Sequence, residues 1–209
     1  SNYNRLSQIL TRSSTNEKII VGREGMLFFG ETLPDITGYP AISDAAMARI
    51  LQVLDVEREY VESLGSRFYF TLAPNKASIY PENLPPNLSG FGHETNAERL
   101  YNNAPAYFID LFSALDSTKA AASTSIYHDL DSHWNAKGAF SAYSAIMEGV
   151  DLQAATTEVP TIPLLDFQGD LATMYYPDRR VLDLNYEHET FEAKFTPLRP
   201  IRTMDDIRI

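Results

Sequence analysis

The chain has 209 residues, is 44% hydrophobic and 22% charged, and carries a formal net charge of −11. That length supports one domain with a sizeable buried core, and so acidic a chain argues against nucleic acid and anionic membrane surfaces as partners. It has no cysteine, which removes disulfides, Cys-ligated zinc and thiol catalysis, and no apolar run reaches the ~20 residues of a membrane span.

Taken in chain order, residues 1–17 read as a polar entry arm or helix. Lys18–Gly22 and Met26–Phe29 read as two strands joined by an Arg23-Glu24-Gly25 turn, hence a hairpin. Residues 44–64 carry Met47, Ile50, Leu51, Leu54, Val61 and Leu64 at helical spacing, with Ser43 or Asp44 as cap and Gly65 as stop. The β-rich run Arg67–Ala73 follows and ends at Pro74, an order that favours a parallel sheet. Residues 81–94 read as a surface loop and 96–102 as a short helix. Ala106–Leu111 reads as a buried strand, residues 115–123 as a helix, and Ser125–Tyr127 as a short strand. A helix begins near Asn135, with Ala139, Ala142, Tyr143, Ile146 and Val150 on one face. Pro160 and Pro163 mark a linker, and residues 178–209 alternate as irregular or β-hairpin structure.

The densest group of titratable side chains is His128-Asp129-Leu130-Asp131-Ser132-His133. In an extended segment, residues two apart share a side, so Asp129, Asp131 and His133 would face together. A carboxylate beside an imidazole fixes its tautomer and stabilises the imidazolium formed during proton transfer. The same residues admit two other readings. Asp131 caps the following turn and His133 is an ordinary half-buried histidine, or His128, Asp129, Asp131 and His133 ligate a metal in a hydrolase.

Several segments resemble one family in order. Gly22-Arg23-Glu24-Gly25-Met26-Leu27-Phe28-Phe29 resembles the G-K/R-x-G-W-L-F element of the DHHW family, which is similar to the alginate O-acetylation proteins of the AlgJ/AlgX type. Pro74-Asn75-Lys76 through Tyr80-Pro81 resembles its P-x-K-x-x-x-Y-P segment. Asp131-Ser132-His133-Trp134-Asn135 through Gly138-Ala139 resembles its D-T-H-W-x-x-x-G-A signature, and Gly169-Asp170-Leu171 a further G-D-L element.

The resemblance implies an α/β fold: an SGNH-hydrolase-like three-layer domain with a mostly parallel central sheet. It covers residues 1–209 as a single domain lacking its C-terminal part, with 151–209 an irregular or β-hairpin extension. It implies O-acetyltransferase or acetylesterase chemistry on a cell-surface polysaccharide, beside a membrane-bound O-acyltransferase, and without a cofactor. The expected location is extracellular or periplasmic, with a membrane anchor outside these residues. Carried over by position, Asp131 and His133 become the acid and base of a Ser-His-Asp triad.

The serine itself departs from the pattern. The family's nucleophile lies downstream of the D-x-H pair in a strand-to-turn segment, yet here only Ser132, Ser141 and Ser144 follow residue 131. Ser132 is expected to face away from its neighbours, and Ser141 and Ser144 fall in a helix. Either the nucleophile lies beyond Ile209 or the chain is a non-catalytic glycan-binding or scaffold module. Met26 also stands where the family has Trp. For substrate binding, Asn75, Lys76 and Tyr80 sit on a loop that either lines the site or is ordinary solvated chain. Trp134, beside Asn135, either stacks on a sugar ring or packs beneath His133.

Overall fold

The computed structural model describes residues 18–88, 94–154 and 159–187. Strands β1 (Ile19–Val21) and β2 (Leu27–Phe29) form the expected antiparallel hairpin, in register Ile19 with Phe29 and Val21 with Leu27. Strand side chains alternate between faces. Ile20 and Phe28 therefore enter the main core with Ile79, Leu84, Leu115 and Ile126, while Ile19 and Leu27 enter a second cluster with Leu171. A hairpin covered on both faces explains why its strands are apolar throughout rather than alternating. Met26 is buried in the main core, where its sulfur accepts from the Asn83 side chain.

Between Gly38 and the parallel strands runs α2 (Asp44–Ser63), preceded by the short α1 (Leu33–Thr37). The Ser43 hydroxyl caps α2 by accepting from the Ala46 N–H at 3.2 Å. The expected apolar stripe is only partly used. Met47 and Leu54 are buried, but Ile50 and Leu64 lie exposed, so α2 rests on the surface along a narrow seam.

β3 (Phe70–Thr71) pairs in parallel with β4 (Phe108–Ile109). The long runs read at 67–73 and 106–111 thus narrow to two residues each. The physical reason lies at the ends of β4. Phe108 donates its N–H back to Pro105 in a turn, and the Asp110 side chain already caps the next helix through the Ser113 N–H. Among the described residues parallel pairing is confined to this ladder; the other two sheets are antiparallel pairs. The mostly parallel central sheet read from the sequence is therefore represented only by β3 and β4.

Lys76–Ile79 forms α3, and Asn96–Asn102 forms α4 with a Thr95/Glu98 capping box. The helix expected at 115–123 starts earlier, as α5 (Leu111–Ala121), because of the Asp110 cap. It packs on α6 (Ala136–Gly149), with the Thr118 and Ser141 hydroxyls 2.7 Å apart. Beyond residue 151, β5 (Ile162–Phe167) and β6 (Asp183–Glu187) pair antiparallel, with α7 (Asp170–Tyr175) between them. Pro163, read as a linker mark, is instead a β5 residue opposite Tyr186. Residues 188–209 of the stretch read as irregular or β-hairpin, and residues 1–17, lie outside the described residues. No helix among the described residues is long and apolar enough to cross a membrane.

Candidate active site

The short strand expected at Ser125–Tyr127 is a single bridge, Tyr127 opposite Trp134, that closes the neck of a loop. Asn135 donates its N–H to the Ile126 carbonyl at 3.0 Å and His128 donates to the His133 carbonyl at 3.2 Å. Below the neck, the Asn135 side chain caps α6, its Oδ1 accepting from Lys137 and Gly138 at 3.0 and 3.3 Å. Gly138 is needed there. A Cβ on it would come within 2.3 Å of the Ile126 carbonyl oxygen and 2.8 Å of the Trp134 Cβ. Gly138 thus lets the start of α6 pack against the loop neck.

At the tip of this loop, Asp131 and His133 meet. Asp131 Oδ1 accepts from the His133 main-chain N–H at 2.8 Å and lies 2.8 Å from His133 Nδ1. Its other oxygen accepts the Asp170 N–H at 2.6 Å. Burial by itself would raise the Asp131 pKa. The hydrogen bonds from Asp170 and His133 outweigh it and hold the carboxyl below its usual range. The carboxylate is buried, with a side chain 5% exposed, while the imidazole above it is 76% exposed. In the neutral ring, donation from Nδ1 to the buried carboxylate leaves Nε2 as the proton acceptor.

α7 reaches Asp131 only because residue 169 is glycine. A Cβ there would fall 2.2 Å from the Leu130 carbonyl oxygen and 3.0 Å from the Asp131 Cβ. The Ala172 N–H then donates to Leu130 at 2.8 Å, and the Ser132 N–H to Asp170 Oδ1 at 2.8 Å. Ser132 does not face away, because the loop is not extended. Its hydroxyl donates to Asp170 Oδ2 at 2.5 Å and sits 3.3 Å from His133 Nδ1, on the carboxylate side of the ring. Ser141 and Ser144 bond within the helices, to Thr118 and Phe140. Asp170 and Asp183 belong to the site's frame, and neither was given a role from the sequence. The G-D-L element pointed to the first; no motif pointed to the second.

The four residues of the metal reading do not converge. His128 is buried, stacked on Phe167 at 4.1 Å, with its Nδ1 2.8 Å from the Leu184 carbonyl oxygen. Burial lowers the His128 pKa despite Asp183 nearby, so the ring is neutral and donates to that carbonyl. Asp129 lines a separate recess with Glu24, Glu82 and Lys119. The donor atoms that do converge, from Asp131, His133 and Asp170, lie within 4.8 Å of one another. Both Asp131 oxygens in that trio are already occupied by N–H donors.

Of the remaining sequence-read residues, Lys76 and Tyr80 bond the loop and its neck. Lys76 is 3% exposed and its ammonium donates to the carbonyls of His128, Asp129 and Asp131. The Tyr80 hydroxyl accepts the Ile126 N–H at 3.0 Å, and Asn75 bonds Asp35 at 2.6 Å. Trp134 packs on the core, edge-on to Tyr127 at 6.4 Å. A cleft of about 770 Å³, lined in part by Asp35, Glu94, Glu98 and Asp116, shares no lining residue with the loop.

A family model described as an SGNH hydrolase-like domain of the acetyltransferase AlgX matches residues 19–202. Over 143 residues the chain is 26% identical to a probable alginate O-acetylase AlgJ of Pseudomonas putida, an alignment covering 65% of this chain and 34% of that protein. The solved O-acetyltransferase domain of Pseudomonas putida AlgJ is similar in fold, with a TM-score of 0.52 at 22% identity, over 80% of this chain and 63% of that one. The chain thus spans about a third of the length of the curated relative it matches.

Proposed function

Because the chain belongs to the family of SGNH hydrolase-like domains of the acetyltransferase AlgX, we propose that it is the acid–base part of a polysaccharide O-acetyltransferase. The observation that carries this reading is the buried Asp131 carboxylate beneath an exposed His133, joined at 2.8 Å. In this reading His133 Nε2 takes the proton of a serine hydroxyl as that oxygen attacks an acetyl ester carbonyl. It then returns the proton to the departing alkoxide. The acetyl group, held as a serine ester, passes to a sugar hydroxyl whose proton His133 takes and then returns to the departing serine alkoxide. Asp131 holds the Nδ1–H tautomer and stabilises the imidazolium at each step. The serine belongs to a segment other than 132–144.

The setting follows the same reading: an extracellular or periplasmic, membrane-anchored protein that receives acetyl groups from a membrane-bound O-acyltransferase. The relative named as an alginate O-acetylase supports a polysaccharide acceptor. The test is acetyl transfer or acetyl-ester hydrolysis by the native-length protein carrying this segment. His133→Ala is expected to lower the rate by about 10³-fold or more, as loss of an acid–base partner does. Equal rates would sink the role of His133.

A second reading, a non-catalytic glycan-binding or scaffold module, is favoured by the placement of Ser132, whose hydroxyl is bound to Asp170. Glycan binding that survives in a native-length protein with no turnover would select it.

A further inference from the structure

The 128–131 segment has neither helix nor strand to satisfy its main-chain carbonyls, yet each of the four finds a donor. Leu130 receives the Ala172 N–H, and Asp129 receives the Leu27 N–H at 2.8 Å. The rest is done by one side chain. Lys76 Nζ stands 2.9 Å from the His128 carbonyl oxygen, 3.2 Å from that of Asp129 and 2.7 Å from that of Asp131. An ammonium has three N–H donors, and here there are three acceptors. Among the described residues no carboxylate oxygen lies within ion-pair distance of Nζ. The Phe28 ring lies 5.2 Å from Nζ to its centre. A buried cation is costly, and this one is committed to main-chain geometry rather than to an ion pair.

We propose that Lys76 is a positioning residue for the Asp131–His133 pair: by gripping the carbonyls of residues 128, 129 and 131 it sets where the Asp131 carboxylate meets the imidazole. The proposal rests on the reading of that pair as the acid–base machinery. Lys76 itself touches no reacting atom; it acts through the backbone that carries Asp131.

The ionisation of the amine supports this geometry. Burial lowers the Lys76 pKa to about 8, against the carboxylates of Asp129, Asp183, Asp131 and Asp170, which all favour the charged form. The neutral ring of His128 and the face of Phe28 complete the surroundings. Above that pH the amine keeps two N–H groups for three carbonyls, and the grip loosens.

The test is NMR of the imidazole nitrogens in ¹⁵N-histidine-labelled protein, comparing wild type with Lys76→Met at pH 7.5. The wild type is expected to show His133 as the Nδ1–H tautomer. In the folded variant that signal is expected to collapse into a mixture dominated by Nε2–H, the tautomer a free imidazole prefers. A second measurement needs no variant: raising the wild type from pH 7.5 to 9.5 is expected to move His133 toward the same mixture. A folded Lys76→Met protein with the wild-type tautomer overturns the proposal. So does a wild-type tautomer unchanged through pH 9.5, should the variant not fold. If the tautomer responds to Lys76 while His133→Ala leaves acetyl transfer intact, positioning stands and the acid–base reading fails. The two failures are thereby told apart.

Discussion

In the 128–135 loop, His128 and Asp131 are buried, with Lys76 beneath them, and every one of these groups has hydrogen-bond partners. The outer face of α2 does the opposite, turning Val53, Val56 and Tyr60 to solvent. Burying a polar group costs free energy unless its hydrogen bonds are remade, so polar burial concentrates where geometry must be held. Exposed apolar side chains carry no comparable constraint on their neighbours. The contrast implies that substitutions of similar size have very different consequences in the two regions.

Gly169→Ala offers the sharpest way to break that contrast. The added Cβ meets main chain at 2.2 Å on Leu130, which cannot give way as a flexible side chain would. Overpacking of this kind is expected to cost about 3 kcal/mol, read as a loss of denaturation free energy, and to weaken the Asp170–Asp131 contact. A wild-type stability would show that α7 and the loop can separate enough to admit a methyl group at no cost.

A smaller, pH-selective effect is expected at His128. Its folded pKa lies below the ordinary 6.5, so below pH 6.5 the unfolded chain binds the extra proton first. The stability this group contributes is fully present above pH 6.5 and is lost as pH falls through the folded value. His128→Gln removes that titration. The fall in stability from pH 6.5 to 5 is then expected to be shallower in the variant than in wild type, measured by urea unfolding at each pH. Parallel curves would remove His128 as a source of the acid limb.

The smallest effect belongs to α2. Val56 is 59% exposed, and Val56→Gln is expected to change stability by no more than about 0.5 kcal/mol. A larger loss would show that this face is covered by something beyond the described residues.

Much of the site was legible in the sequence, and the parts that were not share a cause. Two-residue spacing put Asp131 and His133 on one side but left them a structural pair; the neighbouring motifs are what singled the pair out. The expectation that Asp129 joins them failed because period-two reasoning assumes an extended strand, and residues 128–133 form a loop closed by the Tyr127–Trp134 bridge. Lys76 was read as a loop residue facing solvent or substrate. Its burial follows from carbonyls some fifty residues away, which no local pattern encodes. Asp183 holds the Leu130 N–H at 2.6 Å across a similar separation and left no local signal. In the fold, hairpin and helices followed from local periodicity and caps. The strands at 67–73 and 106–111 were read too long, because a turn at Pro105 and a cap at Asp110 cut β4 short.

The two N–H groups that α7 sends into the loop, from Asp170 and Ala172, have a consequence for dynamics. Helix α7 cannot lift away without stripping donors from Asp131 and Leu130 together. Its release and the opening of the loop should therefore be one event, a single cooperative unit in hydrogen exchange. The amide of Ala172 would report that opening directly. In exchange experiments it should keep time with Leu27, the β2 amide that donates to the Asp129 carbonyl of the same loop.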